Sequence, residues 1–135
     1  MLATLERAAH LIGTHVEHAA RGLGITQAEA HVLVQLVRRG PTSIAALHGE
    51  FGTKRSTLTN VLDRLEQRGL VRREPGRADR RSITLHLTRK GSAQARRIAA
   101  IVDELEAAVR AEVSERDLRG LESLVQALAS VTNAP

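Results

Sequence analysis

Apolar side chains recur three and four residues apart over both ends of the chain. This spacing places them on one face of a helix. The apolar positions of the first such segment, about residues 2 to 21, are Leu2, Leu5, Ala9, Ile12, Val16 and Ala19. Gly22 and Gly24 end this segment, because glycine weakens a helix and favours a turn. The pattern therefore predicts an N-terminal amphipathic helix of about five turns.

A second and a third helix are predicted before residue 52. Thr26 and Glu29 match a capping box, in which the threonine oxygen and the glutamate carboxylate each satisfy a free backbone N–H. The second helix has its apolar face on Ala30, Leu33, Val34 and Val37, and it stops at Gly40-Pro41. Thr42 or Ser43 caps the short third helix, with Ile44, Ala45 and Leu47 facing inward. His48-Gly49 weakens its end, and Phe51-Gly52 makes a turn.

The segment from residue 53 to residue 91 predicts a helix followed by a β-hairpin. After Thr53, the apolar stripe of the fourth helix is Leu58, Val61, Leu62 and Leu65. Arg68-Gly69-Leu70 matches a helix C-cap, with glycine in the left-handed position and leucine packing back. Residues 70–73 form a short strand, and the loop after it contains the turn signal Pro75-Gly76. Residues 82–88 alternate as a second strand, with Ile83, Leu85 and Leu87 inward and Thr84 and His86 outward.

Two further helices close the chain. Thr88 caps a long helix that runs to about Val113, and its apolar stripe is Ile98, Ile101, Val102, Leu105 and Val109. Ser114 and Asp117 form a second capping box before a last helix. The inward positions of that helix are Leu118, Leu121, Val125 and Leu128. The resulting order α-α-α-α-β-β-α-α is mainly α with a small β-hairpin, which is typical of a winged helix-turn-helix.

The terminal helices have apolar stripes wider than a small winged domain can cover. An apolar helix face left over in this way favours a partner, and we expect a homodimer. The predicted organisation is a single domain over residues 1–135. Within it, residues 26–90 form the DNA-binding lobe, and residues 1–22 and 91–132 form dimerisation helices flanking that winged helix-turn-helix.

Composition narrows the choice of partner. The 135 residues carry a net charge of +5, which favours a polyanion. Phe51 is the only aromatic residue, and proteins that bind single strands stack bases on aromatic side chains, so duplex DNA is the better partner. The chain has no cysteine, which excludes disulfides and thiolate metal sites. Without a signal peptide or an apolar run of about 20 residues, we expect a cytoplasmic protein.

The fourth helix and the hairpin loop supply the candidate DNA contacts. With the apolar stripe inward, the outward and flanking residues of the helix are Lys54, Arg55, Ser56, Thr57, Thr59, Asn60, Arg64 and Gln67. Asparagine pairs with adenine, serine and threonine read bases or bind phosphate, and arginine suits guanine or phosphate. An ordinary solvated helix face is the alternative interpretation.

The loop, or wing, carries an excess of arginine that packing does not require. Five arginines lie from Arg72 to Arg81, against Glu74 and Asp79. We expect Arg77, Arg80 and Arg81 to contact the DNA backbone or the minor groove, where arginine gains from the negative potential. Asp79 is expected to pair with a neighbouring arginine side chain and to hold its fork in place.

Seven short motifs occur in a defined order along the chain. They are Leu23-Gly24-Ile25-Thr26, Gly40-Pro41, Ser56-Thr57-Leu58-Thr59, Asp63-Arg64-Leu65-Glu66, Arg68-Gly69-Leu70-Val71, Asp79-Arg80-Arg81 and Leu87-Thr88-Arg89-Lys90-Gly91. In this order they resemble the multiple antibiotic resistance regulator (MarR) family, closely over about residues 23 to 95 and by pattern only in the terminal helices.

The resemblance implies a dimeric bacterial transcription factor, usually a repressor, that binds a pseudo-palindromic operator. It matches the recognition helix of the family to residues 54–67, and the wing arginine to Arg81, supported by Asp79. It also implies a small-molecule effector that binds between the DNA-binding lobe and the dimer helices and weakens DNA binding. Asn60 departs from the family, where arginine is frequent, and this changes the expected base preference.

Other kinds of function are disfavoured by the sequence. His10, His15 and His18 share the first helix, but a metal site needs further ligands and no cysteine is available, so we expect no metal and no cofactor. No nucleophile elbow, glycine-rich phosphate loop or carboxylate pair points to an enzyme. The remaining alternative is a winged helix that binds an acidic protein partner. The polar residues Ser56, Asn60 and Arg64 argue against it, because protein-binding faces favour apolar or aromatic anchors.

Overall fold

The structure is a computed structural model that describes residues 1–51 and 54–132. The turn predicted at Gly52 and the approach to the fourth helix at Thr53 lie outside the described residues. Within the described ranges the elements are, in order, α1 (Leu2–Ala19), a 3₁₀ turn (Arg21–Leu23), α2 (Gln27–Arg39), β1 (Thr42–Ser43), α3 (Ile44–Phe51), α4 (Arg55–Gln67), β2 (Val71–Pro75), β3 (Ile83–Leu87), α5 (Arg89–Glu112) and α6 (Glu115–Thr132).

A three-stranded antiparallel sheet stands beside the helix-turn-helix. Its strand order is β1-β3-β2, so the predicted hairpin is joined on its free edge by Thr42 and Ser43. Thr42 pairs with Leu85 and Ser43 with Thr84. The sequence did not predict β1, because two residues are too few for an alternating pattern. Ser43 also accepts a hydrogen bond from the N–H of Ala46 at 3.1 Å, so it caps α3 as predicted.

The core lies between α2, α3, α4 and the sheet. Its largest fully buried side chains are Val32, Leu33, Leu36, Leu47, Leu62, Leu65, Leu70, Leu85 and Ile98. The predicted stripe of α4 is confirmed, because Leu58, Val61, Leu62 and Leu65 are all buried. Truncating a buried leucine to alanine costs about 2–5 kcal/mol, so this stripe fixes which face of α4 is left outward.

Two glycines are required around the hairpin, Gly69 at the end of α4 and Gly91 at the start of α5. Gly69 has φ +71°, and the N–H groups of Gly69 and Leu70 donate to the carbonyls of Glu66 and Leu65, both at 2.9 Å. This is the predicted C-cap, since only glycine adopts that conformation without strain. At Gly91 a Cβ would overlap the carbonyl oxygen of Leu70. The start of α5 therefore touches the backbone directly after α4.

Three details of the predicted pattern are wrong. Ala45 is exposed rather than inward. Ile83 is 43% exposed, because the inward side of β3 is covered at Leu85 but not at the wing end of the strand. The capping box at Thr26 is only half formed. The threonine oxygen accepts from the N–H of Glu29 at 3.3 Å, but the Glu29 carboxylate is held instead by Arg64 of α4 and by Arg68, the residue directly after it.

The backbone forms two compact units, one from Met1 to Val102 and one from Asp103 onward. In the first unit, Leu11 and Ile12 of α1 are 57% and 53% exposed. In the second unit, Leu121 and Val125 of α6 are 49% and 53% exposed, and α6 has no buried residue. Each unit therefore leaves part of a predicted apolar stripe uncovered.

The second capping box is formed reciprocally. Asp117 N–H donates to Ser114 Oγ at 3.3 Å, and Ser114 N–H donates to the Asp117 carboxylate at 3.0 Å. The hydrogen bond from the Ser114 hydroxyl is the main reason why the pKa of Asp117 is lowered. Within residues 1–51 and 54–132, no helix has the length and the hydropathy needed to cross a membrane.

Candidate nucleic-acid interface

The buried stripe of α4 turns its polar residues outward. All the predicted contacts on this helix and just before it are exposed, namely Lys54, Arg55, Ser56, Thr57, Thr59, Asn60 and Arg64. The Thr59 hydroxyl donates to the carbonyl of Arg55 at 2.8 Å, so only its oxygen lone pairs stay available to a ligand. The helix therefore presents hydroxyl, amide and cationic groups on one surface, which are the groups that read base edges and phosphates.

One flank of α4 is tied to α2 by a buried acid. Glu29 is 3% exposed, and its carboxylate oxygens lie 3.2 Å from Nε of Arg64 and 3.1 Å from Nη1 of Arg68. Arg68 also donates to the carbonyls of Gly24 at 2.7 Å and Leu23 at 2.9 Å. We call these three side chains the Glu29 network. This network was not predicted from the sequence, although two arginines one helical turn apart, at the end of α4 and at its C-cap, were a usable signal.

The opposite flank of α4 is tied to the hairpin. Arg73 of β2 lies 2.7 Å from Asp63 and 3.4 Å from Glu66, and its side chain is only 26% exposed. This arginine is therefore used inside the molecule rather than at a DNA surface. Together with the Glu29 network, it gives α4 ionic contacts on both sides.

The wing arginines divide into two groups. Arg72 pairs with Glu74, and Arg73 pairs with α4. Arg77, Arg80 and Arg81 lie at the hairpin tip, are exposed, and have no ion pair or side-chain hydrogen bond to any described residue. Of the five arginines in the hairpin, these three are therefore the ones whose charge is open to a polyanion.

Asp79 has a different role from the one predicted. Its Oδ1 accepts a hydrogen bond from the backbone N–H of Arg81 at 2.9 Å, and its carbonyl accepts from the Ser82 hydroxyl at 2.7 Å. The expected pairing with an arginine side chain is wrong, because this local turn satisfies the carboxylate first. A Cβ at Gly76 would overlap the Ser82 hydroxyl, so the tip closes tightly. Asp79 shapes the loop that presents the arginines.

A cleft of about 510 Å³ opens beside α4. It is lined by Glu17 of α1, residues 26–28 and His31 of α2, Glu50 and Phe51 of α3, and Arg64. The rings of His31 and Phe51 meet edge to face with centroids 4.2 Å apart, and desolvation lowers the pKa of His31. Phe51, the lone aromatic residue, thus faces a cavity of the size that small ligands occupy.

The α1 histidines are not gathered into a site. His10, His15 and His18 are all exposed along the helix. Among residues 1–51 and 54–132, no group of three or more His, Cys, Asp or Glu side chains is placed to hold a metal ion.

Comparison with known proteins identifies the family. A sequence model of the MarR family matches residues 25–83. The helix-turn-helix-type transcriptional regulator PecS of Dickeya dadantii is 33% identical over 128 residues, which cover 93% of this chain and 77% of PecS. The chain belongs to the MarR family. As a member it is a transcriptional regulator rather than an enzyme.

Solved structures agree with the MarR fold. Staphylococcus aureus MepR in its DNA-binding conformation has a TM-score of 0.86 at 20% identity, with 98% of this chain and 99% of MepR covered. NadR in complex with 4-hydroxyphenylacetate has a TM-score of 0.82 at 26% identity, with 96% of this chain and 92% of NadR covered. The predicted winged helix-turn-helix fold of this MarR-family chain is confirmed.

Proposed function

We propose that this MarR-family regulator is a homodimeric repressor that binds a pseudo-palindromic duplex operator and is released by a small effector. The observation that supports DNA binding most directly is the juxtaposition of two exposed sets, the polar face of α4 and the unpaired arginines of the wing. A helix of this composition suits the major groove, and a basic hairpin suits the adjacent backbone or minor groove.

Within this proposal, base reading falls to Ser56, Thr57 and Asn60. Asn60 pairs best with adenine, through the N6 and N7 atoms that face the major groove. Lys54 and Arg55 contact phosphates near the start of α4, and the Thr59 oxygen accepts from a base amino group. Arg77, Arg80 and Arg81 add affinity from the wing, while Asp79 keeps the wing tip in shape. Phosphate contacts fix the register on the duplex, and base contacts give the specificity.

The dimer is proposed from the uncovered apolar positions of the terminal helices. Leu11 and Ile12 in the first unit, and Leu121 and Val125 in the second, are large apolar side chains left about half exposed. Large apolar side chains exposed on a helix face in this way favour a protein interface. We assign residues 26–90 to DNA binding and residues 1–22 and 91–132 to dimerisation, in one domain. A repressor of this kind acts on DNA in the bacterial cytoplasm.

The effector is proposed to occupy the cleft beside α4. NadR is described in complex with 4-hydroxyphenylacetate, and its fold is similar to that of this chain. The cleft here has an aromatic wall at His31 and Phe51, two carboxylates, Glu17 and Glu50, and one cationic group, Arg64, which is paired with Glu29. A small ligand with an aromatic ring and hydrogen-bonding groups matches that combination of an aromatic wall and polar side chains.

A mobility-shift titration tests DNA binding directly. The full-length protein is titrated against duplexes that tile the DNA flanking its own gene, with a scrambled duplex of equal length as the control. A shift at one duplex well below the concentration that shifts the scrambled DNA is expected. Equal shifts on all duplexes, or none at any modest salt, would refute the proposal. Light scattering of the complex gives the number of protomers bound.

A further inference from the structure

The Glu29 network lies on the flank of the recognition helix that faces α2. Arg64 was expected from the sequence to contact a base or a phosphate. However, its Nε lies 3.2 Å from Glu29 Oε1. Arg64 follows Ser56 and Asn60 on the same side of α4, and its side chain also lines the cleft formed with α1, α2 and α3. Its Nε is therefore held by Glu29 of α2, while 53% of the side chain remains exposed.

Burial makes Glu29 a strong anchor for this helix. It is the one charged residue that is buried in the described ranges, at 3% exposure. A buried carboxylate must be paired or neutralised, because leaving its charge uncompensated is strongly unfavourable. Its two oxygens have separate arginine partners about one helical turn apart, Arg64 in the last turn of α4 and Arg68 at its C-cap. The acid therefore restrains two points along the helix, which fixes its rotation as well as its distance from α2.

The two arginines are not equivalent. Arg68 is held by the carbonyls of Leu23 and Gly24 as well as by Glu29, so it closes the turn before α2. The only ion pair of Arg64 to a described residue is the one with Glu29, and its side chain is 53% exposed. Loss of Arg64 would thus release the restraint on α4 and leave the contacts of Arg68 in place.

We propose that Arg64 is a positioning residue for DNA recognition, acting through Glu29 to set the angle at which α4 presents Asn60 and Ser56. Base reading needs side chains held within about 0.5 Å of the productive geometry, so a small rotation of α4 is enough to lose it. This inference rests on the proposed DNA binding. It makes Glu29, which cannot reach DNA, a determinant of sequence specificity.

The test compares Arg64→Met with Glu29→Gln and with the double variant in the full-length protein. The apparent Kd is measured for the shifted duplex from the flanking DNA and for the scrambled duplex, each at several salt concentrations. Both single variants should lower the ratio of specific to non-specific affinity by about tenfold, and the double variant should be no worse than either one, as for coupled residues. The salt slope of Arg64→Met should match wild type.

A matched control is Arg55→Met, which removes an exposed arginine of α4 that has no ion pair to any described residue. It should reduce the salt slope by about 0.9 per protomer and lower both affinities together, because a phosphate contact is lost. If Arg64→Met behaves in the same way, Arg64 binds phosphate and the inference is wrong.

Two other results would also overturn it. If Arg64→Met changes preference at one base pair and Glu29→Gln does not, Arg64 reads a base directly. If both variants lower the melting temperature but keep the wild-type specificity ratio, the network is only structural. If Glu29→Gln fails to fold, Arg64→Met alone still tests the inference. Its salt slope shows whether a phosphate contact is lost, and its affinity for duplexes that differ at single base pairs shows whether a base contact is lost. Failure of wild type to prefer any duplex would instead refute the proposed function itself.

Discussion

The partition of the wing arginines leads to a quantitative prediction. Arg77, Arg80 and Arg81 are exposed without intramolecular partners, whereas Arg72 and Arg73 are paired with acids. We therefore expect the triple variant Arg77→Ala/Arg80→Ala/Arg81→Ala to lose most of the wing's electrostatic contribution to DNA binding. The fold should be kept, because none of the three side chains packs in the core.

The size of the effect follows from counterion release. Each neutralised phosphate contributes about 0.9 to the slope of log affinity against log salt, so three arginines per protomer correspond to about 5 for a dimer. Six such contacts correspond to roughly 10³-fold in affinity between 50 and 200 mM salt. Affinity of the triple variant should thus be much weaker at low salt and far less sensitive to added salt than that of wild type.

The assay is a fluorescence-anisotropy titration of the shifted duplex at five salt concentrations. A charge-matched control is Arg96→Ala/Arg97→Ala/Arg116→Ala, which removes three exposed arginines of α5 and α6. This control should remain a dimer by light scattering and keep a slope within about 1 of wild type, since its residues lie outside α4, the wing and the apolar stripes of α5 and α6. An equal fall in slope in both triple variants would show that only net charge matters and would refute the wing assignment.

Three further predictions test other parts of the surface. Asn60→Ala should change preference at one base pair of each half-site, costing about 1–3 kcal/mol at that pair; a duplex scan with a uniform loss at all positions would contradict base reading. Gly91→Ala should lower the melting temperature markedly, because its Cβ would overlap the Leu70 carbonyl; an unchanged temperature would refute the close approach. Leu121→Glu should dissociate the proposed dimer, measured by light scattering at micromolar protein, and a dimer that persists would exclude α6 from the interface.

Local patterns in the sequence were sufficient to predict most of the fold. The stripe from Leu58 to Leu65 determined which face of α4 is buried, because helical spacing needs no knowledge of the partner. The C-cap at Gly69 and the caps of Ser43, Ser114 and Thr88 were also predictable, since each depends on residues within five positions of one another. At Thr88 the hydroxyl accepts from Gly91 N–H at 3.0 Å, as an N-cap should.

Contacts between distant segments could not be predicted in the same way. Glu29 satisfies the local rule for a capping box, but two arginines more than thirty residues later compete for its carboxylate in a buried place. The Glu29 carboxylate therefore pairs with arginine rather than with a backbone N–H, because leaving its buried charge without an opposite charge would cost far more free energy. Asp79 shows the reverse outcome, since a local backbone N–H is preferred to the arginines beside it on an exposed loop.

The ion pairs also determine how many cations of this protein are open to DNA. Arg64, Arg68, Arg72 and Arg73 balance acids within the lobe, so they add little to the field that DNA meets. The cations left open on the proposed surface are Lys54, Arg55, Arg77, Arg80 and Arg81. Five phosphate contacts per protomer would give a dimer a salt slope of about 9, well below the value expected if every arginine of the lobe bound DNA. The ion pairs that reduce the number of open cations also hold α4 from both flanks. They therefore lower the non-specific affinity for DNA and fix the position of the recognition helix.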